Sequence, residues 1–200
     1  MLWCWVLFYI QGVSSERLAA KFGVSRQEMD EFTVLSHTRA AKAHSAGMYK
    51  DEIIPVDGSV TENGIKGDST FEKVSKLKPA FVKPHGTHTA ANSSFLTDGA
   101  SAVLLMTEEK ALALGYKPKA YLRAWNYTAL DPFDELLLGP AFSVERLLRT
   151  NKLKLDDIGV MEIHEAFAGQ VLANLAAMDS TKFAADRFPG GRFCCSMVSS

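Results

Sequence analysis

Hydrophobic and polar positions along the 200-residue chain change texture twice. The first ten residues, "MLWCWVLFYI", carry no charge. The run is shorter than the roughly 20 residues of a membrane helix and lacks the basic flank of a secretory signal, so it reads as a buried strand or a signal-like start. No arginine-rich, amphipathic transit peptide is visible. From Ser25, "SRQEMDEFTVLSHTRAAKAHSAGMY" predicts a helix: Ser25 caps it, Glu28 completes a capping box and Gly47 ends it. Met29, Phe32, Leu35 and Ala43 form the inner face of this reading.

Residues 51–90 show no period, because Pro55, Gly58, Gly64, Gly67, Pro79, Pro84 and Gly86 interrupt every apolar piece. An irregular, loop-rich region is expected. Regularity then returns. "ASAVLLM" (100–106) reads as a buried strand, "TEEKALALGY" as a helix closing at Gly115, and "KAYLRAWNY" (119–127) as a strand. "SVERLLRTNKL" reads as a helix capped by Ser143, and "IGVMEIH" (158–164) as a further strand. A last helix begins near Glu165, with Phe167, Val171, Leu175 and Met178 at helical spacing. This alternation argues for an α/β architecture whose sheet is small and leaves edges exposed.

Composition narrows the class. With 47% hydrophobic and 22% charged residues the chain is an ordinary globular one, and a core of this size needs neither disulfide nor metal. Cys4, Cys194 and Cys195 have neither zinc-ligand spacing nor an even disulfide framework, which favours a reducing compartment. A formal charge of -1 gives no field for nucleic acid or an anionic membrane, so any anionic ligand must be held locally.

Candidate chemistry gathers at two places. In "GVMEIHEAFAGQ", His164 stands where a strand gives way to a helix. Free backbone N–H groups there favour an oxyanion, and a core histidine bonded to a backbone carbonyl is the alternative. Glu165 reads as a first-turn partner of the helix dipole. Zinc of the His-Glu-x-x-His kind is excluded because the fifth position is Ala168. The second place is "KPHGTHTAANSSFLTDGAS" (83–101), where small and hydroxyl residues let a polar ligand approach the backbone closely. Ordinary turns and caps use the same residues. His85 and His88 read as solvent-facing, since no third metal ligand accompanies them, and His37 and His44 as surface or half-buried. Neither a Gly-x-Ser-x-Gly elbow nor a P-loop is present, which argues against a serine hydrolase and a P-loop NTPase.

Four segments in order, "SRQEMDEFTVLSHTRAAKAHSAGMYKDEIIPV", "LKPAFVKPHGTHTAANSSFLTDGASAVLLM", "DELLLGPAFS" and "MEIHEAFAGQVLANLAAM", resemble the thiolase family from about Gly12 to Phe188. Most thiolases have Asn-Glu-Ala-Phe where this chain has His164-Glu165-Ala166-Phe167. The histidine resembles the beta-subunit type found in the mitochondrial trifunctional fatty-acid oxidation enzyme and its bacterial counterparts. The resemblance implies a thiolase-like, partial α/β fold. Its implied parts are a divergent apolar start (1–11), a loop region that binds coenzyme A (12–98), part of a C-terminal domain (99–188) and a divergent tail (189–200).

It also implies thiolytic cleavage of 3-ketoacyl-CoA to acetyl-CoA and a shortened acyl-CoA in fatty-acid beta-oxidation, with CoA a substrate and neither cofactor nor metal required. His164 takes the family's Asn role at the enolate oxygen, and Phe167 lines the pocket beside it. Ala90 and Ser94 match positions that contact the pantetheine arm, and Phe81 matches an apolar wall. Implied partners are acyl-CoA or CoA, a second copy of the chain and the trifunctional alpha subunit, with no nucleic acid. The implied setting is the mitochondrial matrix or inner membrane, or alternatively a bacterial cytoplasm. Departures from the family are equally specific. The segment bearing the nucleophilic cysteine, the Gly-His-Pro base and the Cys-x-Gly acid have no counterpart in these 200 residues, and Cys194 and Cys195 lack the context for that last role. The chain resembles the middle of a thiolase with read-through or splice sequence at its ends. By itself it is expected to be inactive, and a non-catalytic module binding CoA, an acyl chain or a partner is the competing reading.

Overall fold

The computed structural model describes residues 2–58 and 62–188, with side chains from Tyr9 onward. Helix α6 (Ala168–Asp179) is the hub, touching α1 (Leu2–Lys21), α2 (Arg26–Ser45), α5 (Gly139–Thr150) and α7 (Thr181–Arg187). Its sequence explains that position. Ala168, Gly169, Ala173 and Ala177 are small and buried, so neighbouring helices approach it closely. The main core joins Leu18, Leu138, Ala141, Ala173, Ala177, Met178, Phe183, Ala184 and Phe188. Phe142, Phe183 and Phe188 meet there edge to face at 5.5–5.7 Å, an arrangement that adds to simple apolar burial. A smaller cluster of Ala19, Met29 and Ala168 ties α1 and α2 to the start of α6.

Local signals set several boundaries. Ser25 caps α2 with Glu28 in a reciprocal capping box, as expected. The helix closes with Met48 N–H bonded to Ala43 O and Gly47 at φ +72°, a conformation that glycine adopts without Cβ strain. α4 (Glu108–Ala113) is capped by Thr107 and ends before Gly115, also as expected. Residues 51–90 hold only the short helix α3 (Phe71–Val74) among the described residues, as their broken pattern predicts.

Other expectations are corrected. The apolar start belongs to helix α1, not to a strand. An unbroken apolar run has no period of its own, and it continues into the helix-favouring "SERLAAK". Leu35 is exposed on α2; the buried positions are Met29, Asp30 and Thr33. α5 begins at Gly139 rather than at a Ser143 cap. Pro140 suits the first turn, and the buried Asn174 of α6 accepts the Ala141 N–H at 3.0 Å, supplying the cap from another helix. α6 begins at Ala168, three residues after Glu165.

Residues 100–106, 119–127 and 158–164 form no strands, and the described residues contain isolated bridge positions only, among them the pair Ser93 and Phe167. Val103, Leu104, Leu122, Trp125 and Val160 are all at least 65% exposed. An apolar run reports a tendency to be buried, whereas a strand also requires a neighbour that completes its backbone hydrogen bonds. No such neighbour lies beside these three segments among the described residues.

Candidate functional site

An isolated bridge sits where the two chemical segments meet. Ser93 pairs antiparallel with Phe167. Ser94 N–H donates to Ala166 O at 2.8 Å, and Ala168 N–H donates to Asn92 O at 3.0 Å. Three consecutive loop residues are thus stitched to the residues that open α6, although some 75 positions of sequence separate them.

Buried polar groups hold the loop from beneath. Asn92 donates to Asp30 Oδ1 at 3.2 Å and to Thr87 O at 3.1 Å, and its side-chain oxygen accepts Thr89 N–H at 2.7 Å. Asp30 has no exposed surface and is paired with Arg26 at 2.7 Å. Arg26 also donates to Val74 O and Leu77 O, so one guanidinium fastens α2, α3 and the start of the loop. A buried carboxylate is tolerable under such conditions, with a charge partner and a satisfied hydrogen-bond set.

Phe167 is buried, with its ring edge to face against Phe81 on one side and His88 on the other, both at 5.7 Å. Ser94 is half-buried and Ala90 exposed on the outer side of the loop. His164 is exposed. It lies four residues before α6, outside the helix mouth where the pattern placed it, so the dipole argument gives way to an open position on the segment leading to Ala166. Glu165 likewise is not in a first turn; it accepts a hydrogen bond from Ser36 of α2 at 2.6 Å. Next to Ser36, His37 accepts the Lys66 N–H at 3.2 Å. Burial lowers the pKa of His37, Glu165 acts to raise it and Lys66 adds to the lowering.

An open groove of about 490 Å³ runs between Asn63, Gly64 and Lys66 on one wall and Phe95, Leu96, Thr97 and Asp98 on the other. It continues directly from Ser94 in sequence. A second depression, lined by His44, Tyr49 and Ile53 among others, lies about two turns further along α2 than Ser36 and has none of these residues.

Phe81, Ser94 and Phe167 thus gather around one seam, with Ala90 on the same loop and His164 on the segment that leads into it. His88 is corrected: it is completely buried, not solvent-facing, whereas His85 is exposed and His37 and His44 are half-buried. Sequence reading also missed Ser15 and Glu16, whose partners lie over 70 residues away. Burial would raise the Glu16 carboxyl, but hydrogen bonds from the side chains and backbone of His88 and Thr87 outweigh it and hold the pKa at about 2. No group of three or more potential ligands among the described residues could hold a metal ion, and no described helix is long and apolar enough to cross a membrane. Cys194 and Cys195 lie outside the described residues.

The chain matches sequence models of the thiolase N-terminal domain over residues 1–109 and of the thiolase C-terminal domain over residues 116–191. It is 58% identical to a probable 3-ketoacyl-CoA thiolase of Caenorhabditis elegans, covering 91% of this chain and 42% of that protein. It is 55% identical to the mitochondrial trifunctional enzyme subunit beta of Homo sapiens, covering 86% and 37% respectively. The chain therefore spans less than half the length of these relatives. Among solved structures, human mitochondrial 3-ketoacyl-CoA thiolase in complex with CoA superimposes with a TM-score of 0.78 at 32% identity, over 84% of this chain and 43% of that one.

Proposed function

The chain belongs to the thiolase family, and from that premise we propose that the seam between residues 90–94 and 164–167 is the acyl-CoA side of a 3-ketoacyl-CoA thiolase of fatty-acid beta-oxidation. The observation that carries this reading is the antiparallel stitching of Asn92, Ser93 and Ser94 onto Ala166, Phe167 and Ala168. It brings the small-residue loop and the histidine-bearing segment to one edge, which a shared ligand requires.

In this reading Ala90 and Ser94 let the pantetheine arm lie close to the backbone, and Phe81 and Phe167 form the apolar wall. CoA enters as a substrate, and no resident cofactor takes part. In thiolysis a cysteine thiolate attacks the keto carbon and the bond to the α-carbon breaks. The electron pair leaves as the enolate of acetyl-CoA, which takes up a proton, and CoA thiolate then releases the acyl group. His164 is the hydrogen-bond donor to the enolate oxygen, either directly or through a water. In this reading the residues of the seam bind the thioester and stabilise developing charge. The names of the relatives favour a mitochondrial setting and a partner alpha subunit; self-association of the complete protein belongs to the same reading.

The test is turnover in a protein of the relatives' length that carries these residues. His164→Ala should lower kcat about 100- to 1000-fold, the usual consequence of losing one oxyanion donor, with a much smaller change in KM. Near-normal turnover would show that His164 has no part in the reaction.

A further inference from the structure

The proposed reaction leaves one buried polar cluster unused. Ser15 and His88 have no exposed surface, and Ser15 Oγ lies 2.7 Å from His88 Nε2. The other ring nitrogen, Nδ1, lies 3.3 Å from Glu16 Oε2. Glu16 also accepts the Thr87 N–H, the Thr87 hydroxyl and the His88 N–H, at 2.9, 2.6 and 2.9 Å. A serine, a histidine and a carboxylate in line have the form of a nucleophile relay. Ser15 is fully enclosed, however, and no substrate carbonyl can reach it.

What the cluster does touch is Phe167. With partners on both nitrogens, the imidazole has one orientation, and its face and edge are no longer free to exchange. The ring meets Phe167 at 71° between planes, and Phe167 in turn meets Phe81 at 78°. Gly169 completes the fit: a Cβ there would stand 2.5 Å from His88 Nε2, so glycine is what lets the first turn of α6 close against the imidazole. Phe167 is at once the residue that precedes that helix and the residue bridged to Ser93.

We infer that Ser15, Glu16 and His88 form a buried clasp that positions Phe167, and with it the 164–167 segment, against the coenzyme loop. His88 is a positioning residue that acts through Phe167 and touches no substrate. The inference rests on the acyl-CoA reading of that seam.

The test uses the 200-residue chain with ¹³C-labelled phenylalanine and CoA as the probe, with Phe167→Leu identifying the Phe167 ring signal. In His88→Gln the amide can still meet Ser15 and Glu16, but the ring is gone. The Phe167 signal should shift or broaden in the ligand-free protein. The Kd for CoA should rise roughly three- to tenfold, the size of one lost edge-to-face contact. An unchanged Phe167 signal and unchanged CoA affinity in folded His88→Gln would overturn the clasp, even if the melting temperature fell. Should His88→Gln not fold, Ser15→Ala decides: it keeps the ring but frees Nε2, and an unperturbed Phe167 signal there overturns the inference. If the parent chain binds no CoA, the coenzyme reading fails, while the ring signal still judges the clasp.

Discussion

Glu16 is the residue whose surroundings most change its chemistry. Its carboxyl is held at about 2 against an ordinary 4.5, because the hydrogen bonds from His88 and Thr87 exceed the cost of burying its charge. The folded pKa lies below the unfolded one, so the stabilisation is complete above pH 4.5 and is lost as pH falls toward 2. Its upper bound is about 3.5 kcal/mol, at about 1.4 kcal/mol per unit. Urea unfolding followed from pH 6 to pH 2.5 should show Glu16→Gln less stable than the parent at pH 6, with the gap closing across that window. Parallel acid limbs in the two proteins would mean that the carboxylate is not held as described. The lowered carboxyls of Glu28, Asp68 and Glu72 are present in both proteins and cancel in this comparison.

At the scale of elements, the least local feature is the cap of α5. Asn174 donates to Leu137 O and Gln170 O, each at 2.8 Å, and accepts Ala141 N–H at 3.0 Å, so one amide joins α6 to the first turn of its neighbour. Asn174→Leu leaves the buried Ala141 N–H and the partly buried Leu137 carbonyl without their partner, which should cost about 1–3 kcal/mol. Hydrogen exchange should show protection lost first at residues 141–145, and unchanged protection there would rule out this cap. The same case marks what the sequence makes legible. α2 and α4 are readable because Ser25, Glu28, Gly47, Thr107 and Gly115 lie within a few residues of the bonds they make. α5 starts earlier than its pattern suggests because its capping group comes from residue 174. Ser94, Phe81 and Phe167 are singled out by likeness to a family, since periodicity alone shows only a loop and an apolar helix start. Ser15 and Glu16 escape notice, and His88 reads as solvent-facing, because their contacts cross 72 to 73 residues and leave no local spacing.

For the whole molecule, the described helices supply most of the core, and the extended segments add only partly buried residues such as Leu130 and Ile163. Leu104, Leu105, Leu122 and Trp125 expose 65–71% of their surface on segments whose apolar pattern suits the inside of a sheet. Where such exposed apolar residues adjoin, they mark a place where other protein packs or chains associate. The seam of residues 90–94 and 164–167, by contrast, is built on α2 and α6, which share the Met29 and Ala168 cluster, so its geometry is supported by packed helices rather than by those segments. The central claim is that this seam receives coenzyme A. The most direct measurement is calorimetric titration of the folded 200-residue chain with CoA, alongside Ser94→Trp checked for its helical content by circular dichroism. The expected result is saturable binding by the parent chain and a Kd raised at least about tenfold in the variant, whose indole fills the space beside the backbone. No binding by the folded parent, or equal affinity in a folded Ser94→Trp, would contradict it.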